Sequence, residues 1–254
     1  MNKKIYVIGF GPGEKEYMTL QAVNAIEKAD VIIGYDTYIN ILKKNFPDKE
    51  YLSTAMRKEV ERCREAVIEA EKGKKVALVS SGDSGIYGMA GIMHEVANDM
   101  MSEAEIIVVP GVTAASSAAS VLGAPLMHDF AVISLSDLMT PLSHIYKRVE
   151  AAAYADYIIC LYNPKSRKRT EYLAKAADII MKYRSSDTVV GIVRNSGREN
   201  QEAWITTLIE LKNEPVDMFC TVIVGNSQTY EREGKMITPR GYRLNADSSN
   251  SRNE

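Results

Sequence analysis

The sequence predicts an α/β fold made of two domains. The chain has 254 residues, of which 46% are hydrophobic, enough to bury one large core or two small ones. Short apolar segments rich in β-branched residues alternate with segments of helical spacing, a pattern typical of parallel sheets covered by helices. These apolar segments end in Gly, Asn, Pro, Ser or Asp. Because the ends of parallel strands share an edge, we expect two loop-lined edges that face each other across a cleft.

The first half of the chain predicts four strands with helices between them. The strands are expected at 4–9, 31–34, 75–80 and 106–109. The helices are expected from Thr19 or Glu16 to about residue 29, at 37–44, at 56–72 after a cap at Ser53 or Thr54, at 88–101, and after an N-cap at Thr113.

The second half begins a new series of strands and helices after residue 125. Its strands are expected at 131–135, 156–162, 188–193 and 219–225. Its helices are expected at 141–153, with Thr140 as cap and Pro141 as first residue, and at 170–183. We therefore expect an N-terminal α/β domain over 1–118, a C-terminal α/β domain over 119–243, and a polar, disordered tail over 244–254.

Composition excludes several classes of protein. The formal net charge is −2, so no global basic field would recruit nucleic acid, and an anionic ligand must be bound by local Lys and Arg clusters. No apolar run reaches the ~18 residues of a membrane span and nothing resembles a signal peptide, which predicts a cytoplasmic protein. The three cysteines and three histidines are scattered. They predict buried structural thiols, no metal site and no iron–sulfur cluster.

The stretch IIVVPGVTAASSAASVL at 106–122 is the central motif of the chain. It is predicted to be a buried strand, a tight turn and a helix start. The small side chains that follow Thr113 leave the first N–H groups of the helix accessible to a polar ligand. The alternative is a helix of small residues packed closely on the sheet.

Two other strand ends carry candidate ligand groups. Asp83, between two glycines in SGDSGI at 81–86, has a carboxylate that is suited to accept hydrogen bonds from a ligand, the alternative being a tight turn with an Asp cap. Asp36 follows the second strand and is a candidate acid or base, although a helix N-cap explains it equally well. GFGPG at 9–13 is not a dinucleotide fingerprint, because Pro12 and a misplaced third glycine break that pattern.

Basic residues follow two strands of the second half. The run KSRKR at 165–169 precedes a helix, where positive charge opposes the helix dipole and so favours an anionic partner. A solvated charged turn is the alternative. RNSGR at 194–198 places two more arginines at a strand end.

These motifs, taken in order, resemble the tetrapyrrole methylase family. The matching segments are GFGPG, SSGDSGIYGMA at 80–90, VPGVTAASSAA at 109–119 and TVIVGNS at 221–227. Within that family, further segments are similar to the branch that methylates C17 of precorrin-3B or its cobalt form. They are AMRKEVERC at 55–63, GAPLMHDFAVISLSDL at 123–138, LYNPKSRKR at 161–169, VRNSGRE at 193–199 and TPRGY at 238–242.

The resemblance implies an enzyme of cobalamin biosynthesis that has two α/β domains, with S-adenosyl-L-methionine in the cleft between them, and that works as a homodimer. It implies C17 methylation with contraction of the macrocycle. Residues at positions that line the cofactor pocket in relatives are Pro12, Ser81, Gly82, Asp83, Ile86, Thr113, Ala114, Asn163, Ser196 and Thr221. Cations suited to the carboxylate arms of a tetrapyrrole are Lys165, Arg167, Arg194 and Arg198. Asp36 matches a family position and is the proposed acid or base.

Two residues depart from the family pattern. Ser84 stands where many members have proline, which affects the rigidity of its loop more than the loop's contacts. Met56 stands where the uroporphyrinogen-methylating relatives carry a lysine, so no catalytic lysine is transferred.

Three alternatives are weighed against this interpretation. A nicotinamide oxidoreductase requires the third glycine that is missing here. A sister methylase shares the cofactor loops but not the segments of the C17 branch. It would be an enzyme acting on another corrin precursor or on uroporphyrinogen III, a diphthine synthase, or a ribosomal-RNA ribose methyltransferase. A non-enzymatic binding module does not explain why so many strand ends carry polar loops.

Overall fold

The computed structural model describes residues 3–166 and 168–242, which form two compact units. The first unit extends to Val121 and includes Val193–Glu202, and the second comprises Leu122–Ile192 and the described residues from Ala203. This division falls three residues after the expected boundary at 118/119. The segment 193–202 was expected in the second domain, but it groups with the first because it bonds to the loop after the first strand. The expected tail at 244–254 lies outside the described residues.

The first unit contains a five-stranded sheet, with one strand more than the four that the sequence predicted. Every strand pair in it is parallel, as the sequence predicted. Its order is β3-β2-β4-β1-β5. The strands are β1 Lys4–Gly9, β2 Val31–Tyr35, β3 Glu50–Thr54, β4 Lys75–Ser80 and β5 Glu105–Val109. The helices are α1 Leu20–Lys28, α2 Asp36–Asn45, α3 Glu59–Glu71, α4 Ala90–Asp99 and α5 Ala114–Leu122.

Alternating side chains of the central strands fill two cores, one on each face of this sheet. Ile5 and Val7 of β1 lie in one core, and Ile8 of the same strand lies in the other. All three side chains are fully buried. Because helices cover both faces of the sheet, the side chains on both faces are apolar, and the sequences of the central strands are nearly continuous apolar runs. The polar groups of the unit are therefore concentrated at the strand ends.

The second unit contains a five-stranded sheet and a small three-stranded one, with orders β10-β9-β11-β8-β7 and β12-β13-β6. The strands are β6 Gly123–Ala124, β7 Phe130–Ser134, β8 Ile158–Tyr162, β9 Val189–Arg194, β10 Glu202–Thr207, β11 Cys220–Val224, β12 Tyr230–Arg232 and β13 Lys235–Ile237. The helices are α6 Leu142–Tyr154 and α7 Tyr172–Ile180.

The prediction that the second sheet is parallel was wrong for β11. This strand runs antiparallel to β8, with Val222 opposite Leu161. The loop at Asn226 and Ser227 therefore lies at the amino end of β8, where the Ser227 backbone N–H donates to Asp156 over 2.9 Å. The expectation that all polar strand ends share one edge fails for this loop.

Three helix starts can be compared with the sequence-based expectation, and two of them differ from it. Thr19 is confirmed as the N-cap of α1, since its hydroxyl accepts from the Ala22 N–H over 3.1 Å. The predicted start of α3 at residue 56 was wrong, because Thr54 ends β3 and a turn intervenes. The first residue of α6 is Leu142, and Pro141 is its cap.

All three cysteines are free and buried, which confirms their interpretation as structural thiols. Burial raises the pKa of Cys63 and of Cys160 to about 12. Within the part of the chain that the structure describes, no helix has the length and apolar character needed to cross a membrane.

Candidate functional site

Three loops meet at the carboxyl edge of the first sheet. They follow β1, β4 and β5 and comprise residues 10–13, 81–88 and 110–114, the last of which is the first residue of α5. Gly11 and Gly82 exchange two backbone hydrogen bonds, with N···O distances of 3.0 and 2.8 Å. We call these loops the glycine rim. The rim carries most of the residues predicted to bind the cofactor, namely Pro12, Ser81, Gly82, Asp83, Ile86, Thr113 and Ala114.

The loops of the glycine rim pack backbone against backbone, and this packing requires glycine. A Cβ atom at Gly111 would lie 2.2 Å from the Gly82 carbonyl oxygen and 2.3 Å from that of Gly9. Atoms cannot approach so closely, so any side chain at Gly111 would push the loops apart. The sequence therefore fixes the geometry of the rim through its glycines.

The Asp83 carboxylate joins two loops of the rim. Its Oδ1 accepts from the Gly85 N–H over 2.8 Å, and its Oδ2 accepts from the Gly111 N–H over 3.0 Å. Hydrogen bonds from backbone N–H groups to a carboxylate are charge-assisted and strong. The sequence suggested a ligand acceptor or a turn-forming Asp; the geometry shows that Asp83 organises the turn and ties it to the loop after β5.

Ser84 gives this loop a further anchor. Its buried hydroxyl donates to the Val109 carbonyl oxygen over 3.1 Å. A proline at this position has no such donor. The serine therefore fixes the loop after β4 to the end of β5 by a hydrogen bond.

The segment 195–198 closes against the glycine rim. Ser196 and Ser117 share a hydrogen bond of 2.5 Å between their hydroxyl oxygens. The Arg198 Nε–H donates to the Pro12 carbonyl oxygen over 2.6 Å. A Cβ atom at Gly13 would lie 2.3 Å from the Gly197 carbonyl oxygen, so this contact also depends on glycine.

The predicted substrate cations differ in their surroundings. Arg198 has no carboxylate partner among the described residues, and burial lowers the pKa of its guanidinium. Arg194 forms an ion pair with Glu202. Lys165 is partly exposed in the loop after β8, and Arg167 lies outside the described residues. Of the two arginines described, Arg198 is therefore the one whose charge no carboxylate of the described protein compensates, and it is also the more deeply held, through its bond to Pro12.

A polar network in the second unit links the loops that follow the parallel strands β7 and β8. The Asn163 side-chain amide donates to Ser134 Oγ over 3.0 Å. Arg169 donates to Ser136 Oγ over 2.6 Å, and the Tyr172 hydroxyl donates to Asp137 over 2.8 Å. The last bond lowers the pKa of Asp137. The bond to Ser134 positions the side chain of Asn163, a candidate cofactor residue.

Thr221 and Asp36 occupy different environments. Thr221 is buried in β11, one residue before the pair formed by Val222 and Leu161, near the carboxyl end of β8.

Asp36 is exposed at the first position of α2, directly after β2. Its carboxylate has no hydrogen bond or ion pair among the described residues.

Sequence reasoning missed two arginines that organise these edges. Arg62 of α3 is buried and donates to Thr54 and Ala55, and Arg169 joins the loops of the second unit. Arg62 occurs in a helix whose charges were interpreted as a solvated face, and Arg169 occurs in a basic run of which only Lys165 and Arg167 were selected. Nothing in the spacing of these segments distinguishes a buried arginine from an exposed one.

The fold and these loops define the class of protein. Small-residue loops fixed at the carboxyl ends of parallel strands are the usual site of small-molecule binding in α/β enzymes. The chain belongs to the Tetrapyrrole (Corrin/Porphyrin) Methylases family, which it matches over residues 4–212. It is therefore a methyltransferase.

Two relatives cover nearly the whole chain. It is 50% identical over 238 residues to a probable cobalt-factor III C(17)-methyltransferase of Salmonella typhimurium, covering 94% of this chain and 99% of the relative. It is 35% identical over 250 residues to a precorrin-3B C(17)-methyltransferase of a Sinorhizobium species, covering 95% of this chain and 98% of the relative.

Two solved structures share the fold. The crystal structure of the methyltransferase CobJ matches with a TM-score of 0.86 and 30% identity, over 93% of this chain and 99% of that one. A uroporphyrin-III C-methyl transferase from Thermus thermophilus, complexed with S-adenosyl homocysteine, matches with a TM-score of 0.69 and 21% identity, over 87% of this chain and 97% of that one. The second likeness concerns the fold alone.

Proposed function

We propose that this chain transfers a methyl group from S-adenosylmethionine to C17 of cobalt-factor III or precorrin-3B and contracts the macrocycle, a step of cobalamin biosynthesis. The observation that carries the proposal is 50% identity, along nearly the full length of both proteins, to a relative with the cobalt-factor III activity in its name. The relative named for precorrin-3B is more distant, at 35% identity. Cobalt-factor III is thus the favoured substrate.

The glycine rim suits the chemistry of methyl transfer. S-adenosylmethionine supplies a methyl group on a sulfonium, and transfer to a carbon requires in-line approach with water excluded. The protein's task is therefore to hold and orient, which fixed backbone groups do well. Ser81, Gly82, Thr113 and Ala114 are partly exposed on the rim, so their polar backbone groups and hydroxyls fit the amino-acid and ribose parts of such a ligand.

The other candidate residues keep narrower roles in the proposal. Pro12, Asp83 and Ser196 shape the rim, and Ile86 offers an exposed apolar contact. Asn163 and Thr221 of the second unit keep the cofactor role that the family resemblance implies. Asp36, an exposed carboxylate at a strand end, is proposed as the acid or base.

Arg198 is proposed to bind a carboxylate arm of the substrate, and Arg198→Gln tests this role. Glutamine keeps a donor for the Pro12 carbonyl oxygen but removes the charge. We expect the KM for the tetrapyrrole to rise by roughly 10- to 100-fold, because charged pairs in partly buried sites contribute about 1.5–3 kcal/mol. The Kd for S-adenosylmethionine, measured by calorimetry, should stay within about threefold of the wild-type value, because the substitution leaves the loops of the glycine rim unchanged.

Arg194→Gln is the matched control, because Glu202 already compensates the charge of Arg194. Its effect on the tetrapyrrole KM should be smaller than that of Arg198→Gln. Equal effects of the two variants on KM, or equal losses for both ligands in Arg198→Gln, would contradict the assignment.

The function itself is tested with two ligands. S-adenosylhomocysteine at ~100 Kd should raise the melting temperature, since it stabilises the native state by about 2.7 kcal/mol. Purified protein with labelled S-adenosylmethionine should then transfer one methyl group to cobalt-factor III or precorrin-3B, as counted by mass spectrometry. Methylation of uroporphyrinogen III or another corrin precursor alone would assign the chain to a sister branch.

We also propose, from the family resemblance, that the protein acts in the cytoplasm as a homodimer. Analytical ultracentrifugation measures the second point directly. A protein that sediments as a monomer at micromolar concentration while turning over substrate would rule out the dimer as the active form.

A further inference from the structure

Arg57 has a backbone conformation that its residue type disfavours. It lies in the turn between β3 and α3 with a φ of +66°. In this left-handed region the Cβ atom of an ordinary residue crowds the following carbonyl oxygen, so turns usually place glycine or asparagine there. Such strain persists where the surrounding structure imposes it, and it is concentrated at functional sites.

The left-handed conformation of the other non-glycine residues has simpler explanations. Met101 follows the end of α4, and Glu233 precedes Gly234 in the turn between β12 and β13. Tyr87 belongs to the glycine rim. The remaining ones, Asp156, Asn163, Asn195 and Asn200, are of types that tolerate this region. Arg57 follows no helix, precedes no glycine and is not of a type that tolerates this region.

The buried Arg62 holds the turn in place. Its Nε–H donates to Thr54 Oγ1 over 2.8 Å, and another guanidinium N–H donates to the Ala55 carbonyl oxygen over 3.2 Å. A third contact reaches the Met89 sulfur at 3.8 Å. Arg62 is 4% exposed, so its donors are committed to this turn and to the segment that follows the glycine rim. The hydrogen bonds of Arg62 therefore fix the backbone on the amino-terminal side of the turn, next to Arg57.

The Arg57 side chain is available to a ligand. It is exposed and makes no hydrogen bond, ion pair or ring contact with any described residue. Its turn follows β3, which is parallel to β2, which is parallel to β4, so Arg57 and the glycine rim lie at the same edge of one sheet. Met56, 48% exposed, places an apolar side chain beside the cation.

We propose that Arg57 binds a carboxylate side arm of the tetrapyrrole substrate, an inference that rests on the proposed function. β3 and β4 are two strand spacings apart, about 10 Å. A ligand that reaches from the rim to Arg57 must be about that wide, which fits a macrocycle with acidic arms. The planar guanidinium pairs with a carboxylate by two parallel hydrogen bonds.

Arg57→Gly separates this role from a structural one. Glycine relieves the backbone strain and removes the cation, so the melting temperature should stay the same or rise, whereas the KM and the equilibrium Kd for cobalt-factor III should rise at least ~10-fold. The Kd for S-adenosylmethionine should stay within about twofold. Arg57→Gln removes the charge and keeps the strain, and it should weaken tetrapyrrole binding to a similar extent.

Lys58→Ala is the matched control, because it removes a cation from the next residue, where Glu61 already pairs with the lysine at 2.5 Å. It should change the tetrapyrrole Kd by less than about twofold. An Arg57→Gly protein with wild-type turnover and an unchanged Kd for the tetrapyrrole would overturn this inference and leave the proposed function standing. So would a Lys58→Ala protein whose tetrapyrrole Kd rises as much as that of Arg57→Gly. A wild-type protein that neither binds nor methylates cobalt-factor III or precorrin-3B would overturn the proposed function, and this inference with it.

Discussion

Gly111→Ala is expected to abolish measurable S-adenosylmethionine binding, with a loss of affinity of at least ~100-fold. The added Cβ atom would lie 2.2 and 2.3 Å from the carbonyl oxygens of Gly82 and Gly9, so the loops after β1, β4 and β5 must separate. Overpacking of this kind costs about 3 kcal/mol. The melting temperature of the free protein should fall by about 10 °C. Calorimetry and thermal unfolding measure the two effects.

Gly91→Ala is the control for a methyl group added to a glycine. Gly91 lies in α4, and a Cβ atom there meets no atom within 4 Å apart from the adjoining backbone of its own helix. This variant should be more stable by roughly 0.5–1 kcal/mol, because alanine is the better helix residue, and it should bind the cofactor normally. A Gly111→Ala protein with wild-type cofactor affinity would show that the close packing of the rim is not needed for binding.

Asp83→Asn is expected to weaken S-adenosylmethionine binding by roughly 10- to 100-fold and to lower the melting temperature of the free protein. Asparagine keeps one acceptor and replaces the other with an NH₂ donor. One of the two N–H groups, that of Gly85 or of Gly111, then loses its acceptor and faces a donor. Leaving such a group unpaired costs about 1–3 kcal/mol.

The melting temperature of the free protein distinguishes two roles for Asp83. If the Asp83 carboxylate acts by tying the loops together, the variant is less stable than the wild type before any ligand is added. If the carboxylate only contacts the ligand, the stability of the free protein does not change. Asp99→Asn is the control, since the exposed Asp99 pairs with Arg64 at 3.4 Å and contributes little. Weakened binding with unchanged stability of free Asp83→Asn would support a direct contact instead.

The sequence was most informative about the first sheet and its strand ends. Apolar runs bounded by glycine predicted β1, β2, β4 and β5, and alternation with helices predicted their parallel order. Thr19 was recognisable as a cap because capping is a local interaction. The segments that form the glycine rim were identified for the same reason, since tight turns after buried strands have a distinct composition.

Features set by distant contacts could not be predicted in this way. The periodicity of β11 does not encode its direction, which is fixed by pairing with β8. β3 and β10 were missed, because their mixed composition resembles a loop until the neighbouring strand is known. The bond between Arg198 and Pro12 joins residues 186 positions apart.

The position of the transferred methyl group tests the proposed function most directly. Wild-type protein is incubated with cobalt-factor III, and separately with precorrin-3B, in the presence of S-adenosylmethionine carrying a ¹³C-labelled methyl group. The product is examined by ¹³C NMR and mass spectrometry. The account predicts a single new methyl carbon attached to C17 of a ring-contracted macrocycle from at least one of the two substrates. A methyl group on another carbon, or no labelled product from either substrate, would contradict it.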